Sequence, residues 1–511
     1  MPDIKRECAL VIAVLACMAV VAVTMAPHLF VLFDEAYNLN LAKTLAQDGL
    51  YATHLAEGYR LFDAAVTTGP TVVLPLAAAL RLGGASLVVV RAAMIGIFTL
   101  SLVTIFLAGW ELLGTPLAAL AFAVLFFTTP LILEYGLCVL GDIPSIALAV
   151  GACSLLHRAE RTERHRMAAL LAGGLCLSLA ILAKDIVALL LPALCVVWLL
   201  EGLDHQFRNL DRLFGNLIPV VVAVGVIAGW RAFQFAYMRF LTPPDVFHTW
   251  SNYGTAVSQT LWHTVIFAPL SHAMSIAGYG LTYHLPPVVT IPVTVVGFVT
   301  ARFLLPMRVQ PSYAWRVVGV AFTLWLIWFF LLSGPQAIHR HFIPAVVLGQ
   351  LLAVGFLQVL WRELRHLRLQ RRQHVVGATV AGVISLLLLW NIGNGIGFAR
   401  LYMRSSEERI AAQRTVATWI MANVPRDAAL SGWGWFVPWH IAFLADRLPA
   451  QAHPETPDLK GLTEWFVLAP ELEWSGSMDD RLRDLLARQG PPVAGRVLYP
   501  VYRIVWRPAA P

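Results

Sequence analysis

Residues 8 to 33 read CALVIAVLACMAVVAVTMAPHLFVLF, an apolar run without formal charge that ends directly on the acidic pair Asp34 and Glu35. A helical run of that length crosses a hydrocarbon core of roughly 30 Å. The pair then falls at the far membrane surface, where ionised carboxylates stay partly hydrated, and acids at a membrane edge are functional candidates by default. Lys5 and Arg6 precede the run and Thr24-Met25-Ala26 imitates a cleavage site, but the stretch is too long for a signal peptide. It reads as an uncleaved first helix. Beyond the pair, a short polar helix-like stretch ends at Gly49.

Composition sets the class. Of 511 residues, 58% are hydrophobic and 13% charged, and the mean hydropathy is +0.70. Soluble domains carry about 25% charged residues, so a single soluble core is excluded and a polytopic α-helical membrane protein is implied. The net charge of +7 does not indicate nucleic acid, because the arginines fall between apolar spans, where they report orientation. Six cysteines, at 8, 17, 138, 153, 176 and 195, lie mostly inside apolar spans and form no disulfide framework and no metal-ligand spacing.

Further spans fall at roughly 88 to 110, 115 to 133, 143 to 157, 167 to 183, 186 to 200, 213 to 235, 286 to 305, 316 to 333, 342 to 361 and 375 to 397. With the first, that makes about eleven. The basic loops carry Arg158, Arg161, Arg164 and Arg166; Arg208 and Arg212; Arg302, Arg308 and Arg316; and Arg362 to Arg372. All of them fall on the side of Lys5 and Arg6 if the stretch Pro70 to Leu82 does not cross, and the positive-inside rule makes that side cytoplasmic. That stretch is about a dozen residues long and contains Pro75, so it reads as a re-entrant or interfacial helix.

The opposite side receives the loop 33–87, Glu134, Asp142, Lys184, the loop 237–284 and the run His339-Arg340-His341. An odd number of spans puts the tail there as well. Two domains result: a transmembrane domain, 1–397, and a small extracytoplasmic α/β domain, 398–511. In the tail, Ile410, Ala417, Ile420 and Val424 share one helix face, and Trp465 to Leu468 and Val497 to Trp506 read as strands.

Each candidate residue has two readings. Asp34 and Glu35 either compensate a helix dipole, with Asp34 as N-cap, or supply a general base or hydroxyl-binding carboxylate. Tyr37 stands where a capping box on Asp34 needs Glu or Gln. Asp142, in Leu140-Gly141-Asp142-Ile143-Pro144, either caps a helix or forms a second acidic site, and Glu134 either joins it or is solvated. Lys184 and Asp185 interrupt an apolar stretch, which is costly unless they pair, reach water or meet a ligand. A lysine there suits phosphate. His339, Arg340 and His341 either anchor the chain at the interface or donate to an anion, and they make a weak metal signal. The aromatic residues Trp250, Tyr253, Trp262, Tyr279 and Tyr283 read first as an interfacial belt.

These residues together resemble the GT-C class of integral-membrane glycosyltransferases, of the protein O-mannosyltransferase and aminoarabinose-transferase type. The resemblance rests on Phe33-Asp34-Glu35-Ala36-Tyr37 with Ala42 and Gly49, on Thr67-Thr68-Gly69-Pro70, on Leu140 to Pro144, on Leu182-Ala183-Lys184-Asp185, and on His339 to Pro344. It covers roughly residues 10 to 400 in the family's order. It implies a polyprenyl-phosphate sugar as donor and a lipid, glycan or protein acceptor, with membrane lipids around the enzyme and the inner (plasma) membrane as its location. Asp34 would be the catalytic carboxylate with Glu35 beside it and Asp142 as the second acidic site. Lys184 and Arg340 would hold the donor phosphate, with His339, His341 and Glu134 nearby. No cofactor follows with certainty; a divalent metal stays open. The chain departs from the family in having Gly69-Pro70-Thr71 for Pro-Pro-Leu and Arg340-His341 for Arg-Tyr. The rival reading is a lipid-linked saccharide flippase or transporter, which predicts charge through the depth of the bundle and repeat symmetry.

Overall fold

The structure, a computed structural model of the chain, describes residues 2–56, 58–62, 66, 68–204, 210–241, 247–248, 289–290, 292–297, 311–329, 339–366, 371–426, 428, 430–432, 437–449, 465–468, 494–499 and 502–506. The first apolar run does not continue as one rod. Helix α1 (Pro2–Met25) gives way to a 3-10 turn at Ala26–His28, an extended link at 29–32, and then α2 (Phe33–Asp48). Pro27 has no N–H to continue the ladder of α1, which accounts for the break. An antiparallel hairpin follows, β1 (Ala52–Leu55) with β2 (Gly58–Leu61), and β3 (Phe247–His248) joins it in parallel.

Then come α3 (Pro70–Gly83), α4 (Leu87–Leu113), α5 (Pro116–Thr128), α6 (Pro130–Tyr135), α7 (Asp142–Arg161) and α8 (Arg166–Ala183). The hydroxyls of Ser86 and Thr115 cap α4 and α5 by accepting from Val89 N and Ala118 N. Later helices occupy Leu190–Asp204, Ile218–Ala236, Tyr313–Ile327, Ile343–His366 and Arg371–Asn423.

Among the described residues, seven helical segments are long and apolar enough to cross a membrane, and Pro70–Gly83, Pro116–Thr128 and Tyr313–Ile327 are shorter apolar helices. The protein is therefore a multi-pass helical membrane protein. Lipid tails are as apolar as leucine, so helix association rests on close packing and interhelical hydrogen bonds. The apolar stretch of Arg340–Leu364 is 78% buried, which makes it the central element, whereas the apolar stretch of Gln373–Asn423 is 17% buried.

Two expectations change in detail. The run 115–133 is two helices, divided at Thr129-Pro130, again because proline cannot donate. The short helix expected at Pro70 to Leu82 is present as Pro70–Gly83, 14 residues with Pro75 inside it. The run 375–397 belongs to one helix of 53 residues that continues to Asn423, through the 397/398 boundary read from composition. Most of 286–305 and the five aromatic residues of the loop 237–284 lie outside the described residues.

A second apolar core fixes which parts share a side. It joins α2, α3, the start of α4, Val139 and Ala183 to Trp439 and Phe443 of the tail helix Val437–Ala445. The Tyr37 and Trp439 rings lie 4.0 Å apart, and Lys43 Nζ reaches Asp446 Oδ1 at 2.6 Å. The tail helix and α2 thus lie on one side of the bundle. Residues Ile410, Ala417, Ile420 and Val424 are buried as one face, and four short strands pair in the order β4 (Leu430–Gly432), β5 (Trp465–Leu468), β7 (Tyr502–Trp506), β6 (Ala494–Tyr499).

Candidate active site

Three chain segments cross just above α8. Gly69 N donates to Ala183 O at 3.1 Å, and Thr71 Oγ1 donates to Leu179 O at 2.8 Å, tying the start of α3 to the end of α8. A Cβ on Gly69 would lie 1.9 Å from Leu182 O, and one on Gly141 would lie 2.0 Å from Ala183 O. Neither position admits a side chain while the 182–184 backbone stays where it is. Thr68 Oγ1 accepts from Gly141 N at 3.1 Å and from Asn38 Nδ2 at 2.8 Å, and Asn38 Nδ2 also donates to Val139 O at 2.5 Å. This crossing puts Asp142, at the start of α7, beside Lys184, at the end of α8.

Two ion pairs result. Lys184 Nζ stands 3.9 Å from Asp142 Oδ2, with both side chains 3% exposed. Arg340, at the start of the central span, pairs with Asp34, and Asp34 keeps 18% of its side chain exposed. The pairs form one electrostatic group: Asp142 also feels Arg340 and His341, and Lys184 feels Arg340 and Asp34. Lys184 occupies the turn between two spans, where burial pushes its ammonium below the usual range while Asp142 pulls it back up. Within these two pairs, two buried atoms lack a hydrogen bond among the described residues: Asp142 Oδ2 accepts none and Arg340 Nε donates none.

Glu35 differs from its neighbour. Its side chain is fully buried against Arg91, an ion pair in which Arg91 Nη2 lies 3.2 Å from Glu35 Oε2. Glu35 also accepts from Leu32 N at 3.1 Å and Val139 N at 2.9 Å. The bond from Leu32 N is half of a capping box, since helix α2 starts at Phe33 with Leu32 as N-cap, and leucine has no acceptor for the other half. Asp34 is therefore not the N-cap. Arg91 completes the clamp by donating to Leu137 O at 3.1 Å and Phe30 O at 3.2 Å. Glu35 ties the links 29–32 and 137–139 together through Leu32 N and Val139 N, and its side chain has no exposed surface.

A second grip comes from the long C-terminal helix. Gln413 Oε1 accepts from Val31 N at 2.9 Å while Gln413 Nε2 donates to Val31 O at 3.0 Å, and Ser406 Oγ accepts from Phe30 N at 3.0 Å. Neither Arg91 nor Gln413 was singled out from sequence. Arg91 carried a signal, a charge inside an apolar run; Gln413, in a polar helix, carried none.

Glu134 lies at the end of α6, past the α5 span. Burial pushes its carboxyl up to about 7, against the opposing effects of a hydrogen bond from the Tyr135 side chain and the charge of Arg409. Tyr135 feels Arg340, so Glu134 borders the group. His341 packs edge-on to Trp328 at 6.0 Å between centroids. His339 opens the short 3-10 turn His339–Phe342, and its side chain lies outside the described set. Among the described residues, no group of three His, Cys, Asp or Glu has metal-binding geometry.

The family profile described as dolichyl-phosphate-mannose-protein mannosyltransferase matches residues 68–230. That stretch contains Thr68, Arg91, Asp142 and Lys184 but neither Asp34 nor Arg340. ArnT from Cupriavidus metallidurans, solved bound to undecaprenyl phosphate, has a similar structure, with a TM-score of 0.60 and 15% identity over 97% of each chain. Its apo state gives 0.60 and 14% over 98% of each. AglB from Archaeoglobus fulgidus, an archaeal oligosaccharyltransferase solved in complex with an inhibitory peptide and a dolichol-phosphate, gives 0.57 and 12% over 91% of this chain and 70% of that one. No curated protein matches the chain in sequence. Residues 68–230 thus match a mannosyltransferase family profile, and the chain as a whole shares the fold of the solved ArnT and AglB structures.

Proposed function

We propose that the protein transfers a sugar from a polyprenyl-phosphate-linked donor to a lipid, glycan or protein acceptor on the extracytoplasmic face of the inner membrane. The observation that carries this reading is the buried group of two acids and two cations, Asp34, Asp142, Lys184 and Arg340, where the first apolar run ends. The solved ArnT and AglB structures, with undecaprenyl phosphate and dolichol-phosphate, support a lipid phosphate as donor carrier. Eleven spans, a cytoplasmic N-terminus and an outer tail domain complete the proposed topology.

In the reaction the polyprenyl chain lies among apolar helices and its phosphate meets Lys184 and Arg340. Asp34 is the more exposed acid and takes the proton of the acceptor hydroxyl or amine. The acceptor atom forms a bond to the anomeric carbon as the bond from that carbon to the phosphate oxygen breaks, and the electron pair leaves with the phosphate. One displacement gives inversion. Each well-placed cation on the departing charge is worth on the order of 3 kcal/mol. Asp142 holds Lys184 in place, and His339, His341 and Glu134 are the further residues proposed to bind substrate. Charge gathers at one edge of the bundle rather than along its depth, which disfavours a transporter.

The test is transfer of labelled sugar from defined polyprenyl-phosphate donors by purified protein, with the anomeric configuration of the product read by NMR. Transfer with inversion, lost in Asp34→Asn, is the expected result. Retained configuration, full activity of Asp34→Asn, or no transfer from any such donor would each overturn part of the reading.

A further inference from the structure

Each cation assigned to the donor phosphate is already neutralised by one of the acids. Arg340 pairs with Asp34 and Lys184 with Asp142, so the four formal charges sum to zero. Both cations also sense the acid of the other pair. The pairs are unequal: the Lys184 pair is long at 3.9 Å, whereas Arg340 bonds Asp34 directly. The orphaned Arg340 Nε and Asp142 Oδ2 mark a group whose polar atoms are not all satisfied by protein among the described residues, and such buried atoms carry a desolvation cost that a ligand can relieve.

We infer that Asp34 and the lipid phosphate compete for Arg340, so that the enzyme masks its own base until donor is bound and uses the returning carboxylate to expel the product. This rests on the glycosyltransfer reading. The donor phosphate is a diester with one negative charge; as it binds, Arg340 turns from Asp34 to the phosphate and Asp34 is released to face the acceptor. Donor therefore binds before acceptor. On transfer, the carbon–oxygen bond to phosphate breaks, the new bond to the acceptor forms, and the acceptor proton passes to Asp34. The product is a phosphate monoester carrying up to two negative charges, held by both cations while Asp34 is neutral. When Asp34 gives its proton to water, its charge returns, Arg340 is drawn back, and the lipid phosphate leaves. Protons and charge balance at every step without any further reactant.

The test measures binding of undecaprenyl phosphate to purified full-length protein in detergent, for the wild type, Asp34→Asn, Asp34→Ser and Asp34→Asn/Arg340→Gln. Removing the competing carboxylate should tighten binding about tenfold or more, the size of one charge-assisted hydrogen bond made available to the ligand. The gain should appear in both single variants and vanish in the double variant. Size-exclusion profiles and melting curves identify any variant that fails to fold, and the second single variant keeps the test decisive. Unchanged or weaker binding by folded Asp34→Asn and Asp34→Ser overturns the competition, as does a gain that survives loss of Arg340. Wild-type transfer combined with unchanged binding sinks the competition alone. Tighter binding with no transfer from any polyprenyl-phosphate donor sinks the glycosyltransfer reading and leaves the competition standing.

Discussion

Replacing Glu35 by alanine removes one carboxylate and strands three partners. Arg91, 5% exposed in its side chain, loses its counter-charge, and Leu32 N and Val139 N lose acceptors at 3.1 and 2.9 Å. An unpaired buried charge costs about 3–5 kcal/mol, and each orphaned buried N–H adds about 1–3 kcal/mol less whatever water can restore. These are not additive, so a net loss of about 3–5 kcal/mol is expected, the lower end applying if water enters. Thermal unfolding in detergent, followed by tryptophan fluorescence, reads it. Asp34→Asn should lose much less, because Arg340 keeps Asp142 as a second counter-charge and the asparagine still offers it an acceptor, yet it should abolish transfer. The double variant Glu35→Gln/Arg91→Met removes both charges together and should recover part of the stability, with a coupling of about 0.5–3 kcal/mol. If Glu35→Ala melts with the wild type, or Asp34→Asn melts as early as Glu35→Ala, the division of labour between these adjacent acids is wrong.

Three further outcomes follow from the geometry. Gly69→Ala and Gly141→Ala should each displace the 182–184 backbone, because their Cβ atoms would fall 1.9 and 2.0 Å from its carbonyl oxygens; transfer should fall at least about tenfold through misplacement of Lys184, measured per folded protein. Gln413→Ala should destabilise by about 1–3 kcal/mol through the two Val31 backbone groups it leaves unmet, and Gln413→Glu, which sets a buried carboxylate against Val31 O, should destabilise at least as much; melting curves compare them. Glu134, raised by burial from 4.5 to about 7, binds its proton more tightly in the folded state. Its contribution to stability is full below about 4.5 and is lost as pH climbs through about 7, amounting to about 3 kcal/mol. Melting temperatures across that window should fall less steeply with pH in Glu134→Gln than in the wild type.

Much of this arrangement was legible before any coordinates. Apolar runs bounded by arginines become helices because a chain in lipid must satisfy its backbone internally. The costly charges at Asp34, Asp142, Lys184 and Arg340 stood out against those runs. Proline effects were underread: Pro27 and Pro130 each divide what composition presents as one span. The boundary near 397 rested on the change to polar residues, but backbone hydrogen bonding is indifferent to the solvent outside, and the helix runs on to Asn423, two residues before Pro425. Sequence adjacency leaves Glu35 open between a helper to Asp34 and a dipole-compensating neighbour; successive helix positions point in different directions, and Glu35 faces Arg91. The bonds of Thr68 and Asn38, and the close approach at Gly69 and Gly141, depend on segments distant in sequence crossing, and no local pattern encodes them.

The central claim is that Asp34, Asp142, Lys184 and Arg340 act as one catalytic group assembled by the crossing of Gly69, Gly141 and Ala183. It is tested most directly by kcat for transfer of labelled sugar from a polyprenyl-phosphate donor, compared among Asp34→Asn, Asp142→Asn, Lys184→Met and Arg340→Met at equal amounts of folded protein. Each should lose about 100-fold or more, the scale of one electrostatic or acid–base contribution. Wild-type kcat in either Lys184→Met or Arg340→Met would contradict it.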